Sequence, residues 1–372
     1  MPFISGLEKV TSPALLFDAD AIERNLERML EIVAGNASIL RPHIKTHKCA
    51  EILALQLARG IRSTKCATLA EAELSARAGI PDVLISYPLI GPNIALFSEL
   101  ITAYPETTFS TVTDSVNGIE ALAEVPFQFP LKVLLDLDVG MHRTGVLPGD
   151  AAFELVELIR SKPNLCFNGL HAYDGHIHTA DPNARRADFD AAINRLDQFL
   201  GRLDLEGIDV PLVVSGGTPT FAFHAERALS SPPGTWQCSP GTPLLWDAGY
   251  GEHYPDLPFE PAAFLLARVI SHPGENLACL DLGHKAVAAE NPLGNRIRFP
   301  DSGFLNVLSQ SEEHLVVETS AESRPAIGEA VLGIPYHVCP SVALYDEAHL
   351  IRNGNASGER WRITARKRSL TP

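Results

Sequence analysis

Eight short strand-like runs alternate with seven helical patterns between residues 38 and 239, and this alternation limits the possible folds of the 372-residue chain more than any other property. The strand-like runs cover 38–43, 63–67, 82–86, 107–111, 131–137, 165–171, 211–214 and 235–239. The helical patterns cover 49–60, 68–79, 91–103, 114–124, 148–160, 185–203 and 218–228. The clearest runs, Asp82-Val83-Leu84-Ile85-Ser86 and Pro211-Leu212-Val213-Val214, are continuously apolar. Strands buried on both faces read this way, as in a parallel sheet covered by helices. Eight such units predict a closed (β/α)8 barrel of the TIM type, with an open doubly wound sheet as the alternative.

Ahead of the barrel, Pro13–Phe17 reads as a strand and Asp18 or Asp20 as the cap of a helix carrying Ile22, Leu26, Met29, Leu30 and Val33. After about residue 245 the helical periodicity fades. Short β-prone segments at 264–271, 277–281, 304–308, 313–318, 330–334 and 360–365 predict a mainly antiparallel β domain. The expected division is therefore a barrel over 12–245 and a β domain over 246–372, with residues 1–17 packing on the latter.

Composition narrows the partners. A formal net charge of −15 with no basic tail argues against nucleic acid. The first residues lack the basic and apolar regions of a secretory signal, and no apolar stretch is long enough to span a membrane. The six cysteines, at 49, 66, 166, 238, 279 and 339, form no CxxC pair. They read as reduced thiols of a cytoplasmic protein.

In a barrel of this kind the chemistry lies at the C-terminal strand ends. After the first run comes Arg41-Pro42-His43-Ile44-Lys45-Thr46-His47-Lys48. A lysine held there against a sheet loses solvation, which lowers its pKa and frees the amine as nucleophile and base. The other strand ends bring Asp136, Asp138, His142 and Arg143, then His171, Tyr173, Asp174, His176 and His178. Ser215-Gly216-Gly217-Thr218 and Gly241-Thr242 end the last two units. Glycines let backbone N–H groups approach an anion, and phosphate sites recur at this place in such barrels. A reactive lysine beside a phosphate cradle points to pyridoxal 5'-phosphate. In Tyr336-His337-Val338-Cys339-Pro340, read as extended, His337 and Cys339 face the same side and could grip one metal. Zinc suits that pair, and manganese or magnesium would need waters or substrate as further ligands. A packed histidine beside a buried cysteine is the plainer reading of the same residues.

The cofactor-lysine segment resembles that of the D-threonine aldolase and D-serine dehydratase family, fold-type III pyridoxal phosphate enzymes related to alanine racemase. Lys65-Cys66-Ala67-Thr68, Asp138-Val139-Gly140-Met141-His142-Arg143, Ser215-Gly216-Gly217-Thr218, Ser239-Pro240-Gly241-Thr242 and His337-Val338-Cys339 carry the resemblance further. It implies a barrel followed by a β domain, a homodimer, and a Schiff base at Lys45. It places Arg143 near the cofactor's phenolic oxygen, and Ser215, Gly216, Gly217, Thr218, Gly241 and Thr242 around its phosphate. Tyr173 becomes a candidate partner of the pyridine nitrogen, and His337 with Cys339 the divalent-metal pair. Gln237 stands near where many relatives carry an acidic residue. The metal pair looks like that of the dehydratases, whereas Tyr173-Asp174-Gly175-His176 looks more like the aldolase segment.

The expected activity is metal-assisted cleavage of a D-3-hydroxy amino acid to glycine and an aldehyde, with His176 as base. The alternative is dehydration of D-serine, D-threonine or 3-hydroxyaspartate to a 2-oxo acid and ammonia. A racemase and a non-catalytic pyridoxal phosphate binding protein are further readings.

Overall fold

The computed structural model describes residues 4–300, 302–320, 322 and 324–370. The chain divides into two compact units. One comprises Met1–Met29, Thr46–Glu51 and Thr242–Arg366, and the other Leu30–Lys45, Ile52–Gly241 and Lys367–Pro372. Strand β1 (Ala14–Asp18) leads into helix α1 (Ala19–Ile32), and α2 (Ala50–Ala58) follows the lysine segment. Asp18 caps α1 by accepting the N–H of Ala21 at 3.0 Å.

The second unit holds the expected parallel strands but not the expected bounds of 12–245, since β1, most of α1 and 46–51 belong to the first unit. Strands β2 (Ser63–Cys66), β3 (Asp82–Ile85), β4 (Thr108–Thr113), β5 (Leu131–Leu137), β6 (Leu165–Ala172), β7 (Val213–Ser215) and β8 (Trp236–Cys238) pair in sequence order, every pair parallel. Helices α3 (Leu69–Arg77), α4 (Pro92–Ala103), α5 (Val116–Ala123), α6 (Asp150–Ser161), α7 (Pro182–Leu205) and α8 (Phe221–Ser230) follow the strands. Local chemistry starts several of them: Thr68, Ser115 and Asp181 each accept a first-turn N–H. Leu84, Val112, Leu134 and Val214 pack together from four strands, which is why those runs read as continuously apolar.

The first predicted strand, 38–43, is not a regular strand. Ala37–Ile39 and Ile44–Thr46 are 3-10 turns, and between them Leu40 bridges Cys238 while His43 bridges Lys65. Pro42 has no N–H to give, so it contributes only its carbonyl, which accepts from Lys65 N at 2.9 Å. This segment nevertheless touches β8 on one side and β2 on the other, so it closes the ring.

The antiparallel unit contains a nine-stranded sheet. Its strands are β1, β9 (Ala263–Gly274), β10 (Leu277–Leu280), β11 (Ile297–Arg298), β12 (Phe304–Gln310), β13 (Leu315–Thr319), β14 (Ala330–Pro335), β15 (Glu347–Arg352) and β16 (Asn355–Arg362). The N-terminal strand β1 lies between β9, antiparallel, and β15, parallel. Ile4, Val10, Leu16, Phe264, Leu266 and Ile351 form the core there, while Met1–Phe3 lie outside the described residues. Strands β11 and β15 and two short helices, α9 (Ala248–His253) and α10 (Val338–Val342), were not foreseen.

Candidate functional site

Lys45 stands in the Ile44–Thr46 turn, partly exposed, with its backbone N–H directed at His43 Nδ1 at 3.3 Å. The turn is anchored by Arg41, which is buried within the barrel. The Arg41 guanidinium donates to Gln237 Oε1 at 2.7 Å and forks onto both oxygens of Asp82. Gln237 also donates to Ser38 O at 3.1 Å. Gln237 is thus a cross-link of the barrel wall, which explains the amide at this position.

Strand β5 delivers Asp136 and then a loop tied back on itself. Asp138 accepts from the N–H groups of Gly140 and His142 at 2.9 and 3.0 Å and from His142 Nδ1 at 2.7 Å. Burial alone would raise its pKa, but these donors hold its carboxyl below the ordinary value. Thr144 donates to Asp136 Oδ2 at 2.8 Å. The loop so fixed carries Arg143, whose guanidinium lies 5.0 Å from the centre of the Tyr173 ring.

At the end of β6, His171 Nδ1 meets Asp136 Oδ1 at 2.7 Å, both residues buried. Burial lowers the pKa of His171 despite Asp136, so its ring is neutral at pH 7, and its buried Nε2 has no partner among the described residues. Asp174, 4% exposed, accepts from His224 Nε2 at 2.8 Å and Thr220 at 2.6 Å. His224 Nδ1 in turn accepts from Ser215 at 2.9 Å. These contacts fasten the Ser215-Gly216-Gly217-Thr218 turn. Gly216 has φ 82, and a side chain there would strike His224. Thr218 Oγ1 accepts the N–H of Gly241 at 3.4 Å, joining the two predicted phosphate segments. Tyr173 lies between these networks, its ring covering Gly175 and Gly217, where a Cβ would crowd it.

A residue missing from the sequence-based site is Lys65. It is 2% exposed on β2, and its Nζ lies 5.5 Å from the Tyr173 ring centre. Burial, with the charge of Lys45 beside it, lowers its pKa to about 7. A lysine inside a four-residue buried strand was the available signal.

The structure thus gathers Lys65, Arg143, Tyr173 and the glycine turn, with Lys45 on the adjacent segment. His176 is placed differently: its ring packs on Gly140 and lines a cavity of about 280 Å³ with Asp188 and Arg195. Burial lowers its pKa, and its buried Nδ1 is without a partner among the described residues.

In the antiparallel unit His337 and Cys339 come together, though not through an extended strand. His337 is extended and precedes α10, and Cys339 lies in that short helix. Burial opposes a charge on His337, but Cys339, Glu290 and Asp247 raise its pKa to about 9. Glu290 Oε1 accepts from His337 Nδ1 at 2.6 Å, and Thr46 Oγ1 lies 3.2 Å from Cys339 Sγ. Buried Asp247, raised to about 6 by burial, accepts the N–H of Val338 at 3.0 Å and so fixes the pair's backbone. Among the described residues, no group of three or more His, Cys, Asp or Glu gathers in a metal-holding arrangement.

These features have counterparts among known proteins. Residues 17–236 match the alanine racemase N-terminal domain, and residues 262–351 the serine dehydratase domain. The chain belongs to the alanine racemase-like, fold-type III family of pyridoxal phosphate enzymes. Within it, the chain falls in the branch of the D-threonine aldolases and D-serine dehydratases. It is 30% identical to D-threonine aldolase of an Arthrobacter species over 97% of this chain and 94% of that one. Identity to 3-hydroxy-D-aspartate aldolase of Paracoccus denitrificans is 28%, covering 98% and 95% of the two chains. The crystal structure of D-threonine aldolase from Filomicrobium marinum superposes with a TM-score of 0.87 at 30% identity over 98% of both chains. Dehydratases of D-serine and of D-threo-3-hydroxyaspartate are among the more distant matches.

Proposed function

We propose that this protein is a pyridoxal phosphate- and divalent metal-dependent lyase that cleaves D-3-hydroxy amino acids to glycine and an aldehyde. The observation that carries this reading is the likeness to D-threonine aldolase along nearly the whole chain.

The barrel residues suit the cofactor. The turn at Gly216 and Gly217 offers backbone where a Cβ would intrude, the Tyr173 ring offers a flat face, and His171 Nε2 is a buried acceptor without a partner. Lys45 would be the covalent anchor. Ser215, Gly216, Gly217 and Thr218, with Gly241 and Thr242, would hold the phosphate, Arg143 the phenolic oxygen and Tyr173 the pyridine nitrogen. Bound there, the cofactor supplies an electron sink for a carbanion. His337 and Cys339 would hold the metal, with Glu290 orienting the imidazole as carboxylates do behind metal-bound histidines. Imidazole and thiolate favour zinc, and manganese or magnesium would draw on waters and substrate oxygen. Such an ion lowers the pKa of an oxygen bound to it. We assign His176 to receive the proton of the substrate's 3-hydroxyl, as its pKa is lowered by burial; its place against Gly140, apart from Lys65, Arg143 and Tyr173, makes this the role to test first.

One observation favours a second reading: the pair includes a thiol, Cys339, as the resemblance associates with the dehydratases. In that case Lys45 would remove the Cα proton and the 3-hydroxyl would leave, giving a 2-oxo acid and ammonia.

Product analysis separates the two. The protein is incubated with pyridoxal phosphate, a divalent metal and D-threonine. Glycine and acetaldehyde are expected. 2-Oxobutanoate and ammonia would replace the aldolase with the dehydratase. Full activity in His176→Ala would remove His176 from its role. We further place the enzyme in the cytoplasm as a homodimer, and a monomer in sedimentation would overturn the latter. Among the described residues no helix is long and apolar enough to cross a membrane.

A further inference from the structure

We infer that Lys65 is a proton-accepting residue of the cofactor site, an amine that takes up a proton when an anionic ligand occupies the strand ends beside it. This rests on the cofactor reading and adds a residue and a proton to it.

The geometry starts from the barrel closure. The Lys65 N–H donates to Pro42 O at 2.9 Å and the residue bridges His43, so its side chain issues beside the segment that carries Lys45. It is 2% exposed, so water does not solvate its amine. Among the described residues the amine has no ion pair, and its one specific neighbour is the Tyr173 ring. Both oxygens of Asp136 are engaged, by His171 and Thr144. Asp174 Oδ2 is engaged by His224 and Thr220, and its buried Oδ1 has no partner among the described residues.

The charges facing Lys65 come from several elements. Lys45 lies on the closing segment, Asp136 on β5, Arg143 on the following loop and Asp174 beyond β6. Tyr173 and the neutral His171 complete the surroundings. Two cations oppose two anions, so burial decides, and the amine is held at about 7. At pH 8 the neutral amine therefore predominates. A phosphate dianion and a phenolic oxygen arriving at the same rim would tip that balance toward the ammonium. The Tyr173 face, already met by Arg143, then gains a second cation to attract.

The probe is pyridoxine 5'-phosphate, whose alcohol cannot link covalently to Lys45 and whose phosphate is already a dianion at pH 8. Its binding to the cofactor-free protein is followed by calorimetry at pH 8 in two buffers of different ionisation enthalpy. The difference in heat counts the protons taken up. The wild type is expected to take up at least half a proton more per site than Lys65→Met and Lys65→Gln, while His171→Gln keeps the wild-type uptake. Equal uptake by the wild type and both Lys65 variants overturns the inference and leaves the cofactor reading intact. Loss of the uptake in His171→Gln, with its retention in the Lys65 variants, also overturns it by moving the proton to His171. Failure of the wild type to bind the probe overturns the cofactor reading itself.

Discussion

The Asp174–His224 and Asp136–His171 pairs are alike in length and burial, and they differ in what the far side of each imidazole meets. His224 is closed on both nitrogens, with Asp174 at 2.8 Å and Ser215 at 2.9 Å. His171 is closed on one, with Asp136 at 2.7 Å, and its Nε2 is buried with no partner among the described residues. A saturated buried pair holds its surroundings in place, here the glycine turn after β7. An open nitrogen in the same kind of setting costs stability unless something comes to meet it. The contrast divides the barrel end into a part that is finished by folding and a part that awaits a ligand.

The largest test of this contrast is Asp174→Ala. It leaves His224 and Thr220 without their acceptor, and each buried donor so left costs about 1–3 kcal/mol. Urea unfolding should show that loss, and a loss below 1 kcal/mol would mean the pair is not fastening the turn.

Acid separates the pairs next. The pKa of His171 is lowered by burial, so below 6.5 the unfolded chain binds a proton that the folded chain refuses. His47, wholly buried and lowered to about 3, adds a second such group over the window from 6.5 to about 3. Each lowers stability as pH drops from 6.5, by up to about 1.4 kcal/mol per pH unit, while Asp247, raised to about 6, works in the opposite direction between about 6 and 3.8 and offsets one of them. Asp174, whose carboxyl is held down by His224 against burial, keeps its contribution until the pH falls below 3.8. Denaturation at pH 7.5, 6 and 5 should therefore show a decline that His171→Gln reduces. The same pH profile in the wild type and in His171→Gln would overturn the neutral His171.

His171→Gln is expected to be milder in stability, because an amide N–H can replace the imidazole donor to Asp136. The change should stay within about 1 kcal/mol, while affinity for pyridoxine 5'-phosphate falls threefold to tenfold, the equivalent of one hydrogen bond at about 0.5–1.5 kcal/mol. Unchanged affinity with a large loss of stability would make both pairs purely structural. The smallest effect belongs to a pair outside the contrast. Arg202 and Asp150 meet at 2.7 Å on the surface, and Arg202→Ala should change stability by less than about 1 kcal/mol.

The parallel strands were legible because burial on both faces leaves continuous apolar runs, as in β3 and β5. The closing segment was legible as a location and not as a strand, since Pro42 breaks the ladder there. Lys45, Arg143 and the two glycine segments announced themselves as titratable or flexible residues after strands. Lys65 and His224 did not: one lies inside a strand, the other on α8, and what makes them chemical is the three-dimensional company they keep. The contact between His337 and Cys339 was expected from a two-residue alternation and arises instead from a short helix.

The closing segment has a consequence for how the barrel breathes. Seven staves are joined by ladders, and the eighth is clasped by two bridges, three backbone hydrogen bonds and the Arg41 side chain. The turn bearing Lys45 hangs from that clasp. A molecule that ties Lys45 to the glycine turn would therefore act as a strut across the weakest joint of the cylinder. Gaining such a strut should slow hydrogen exchange at the amides of Arg41, His43 and Lys65 and raise the unfolding temperature together, because stiffening the wall and seating the ligand are one event.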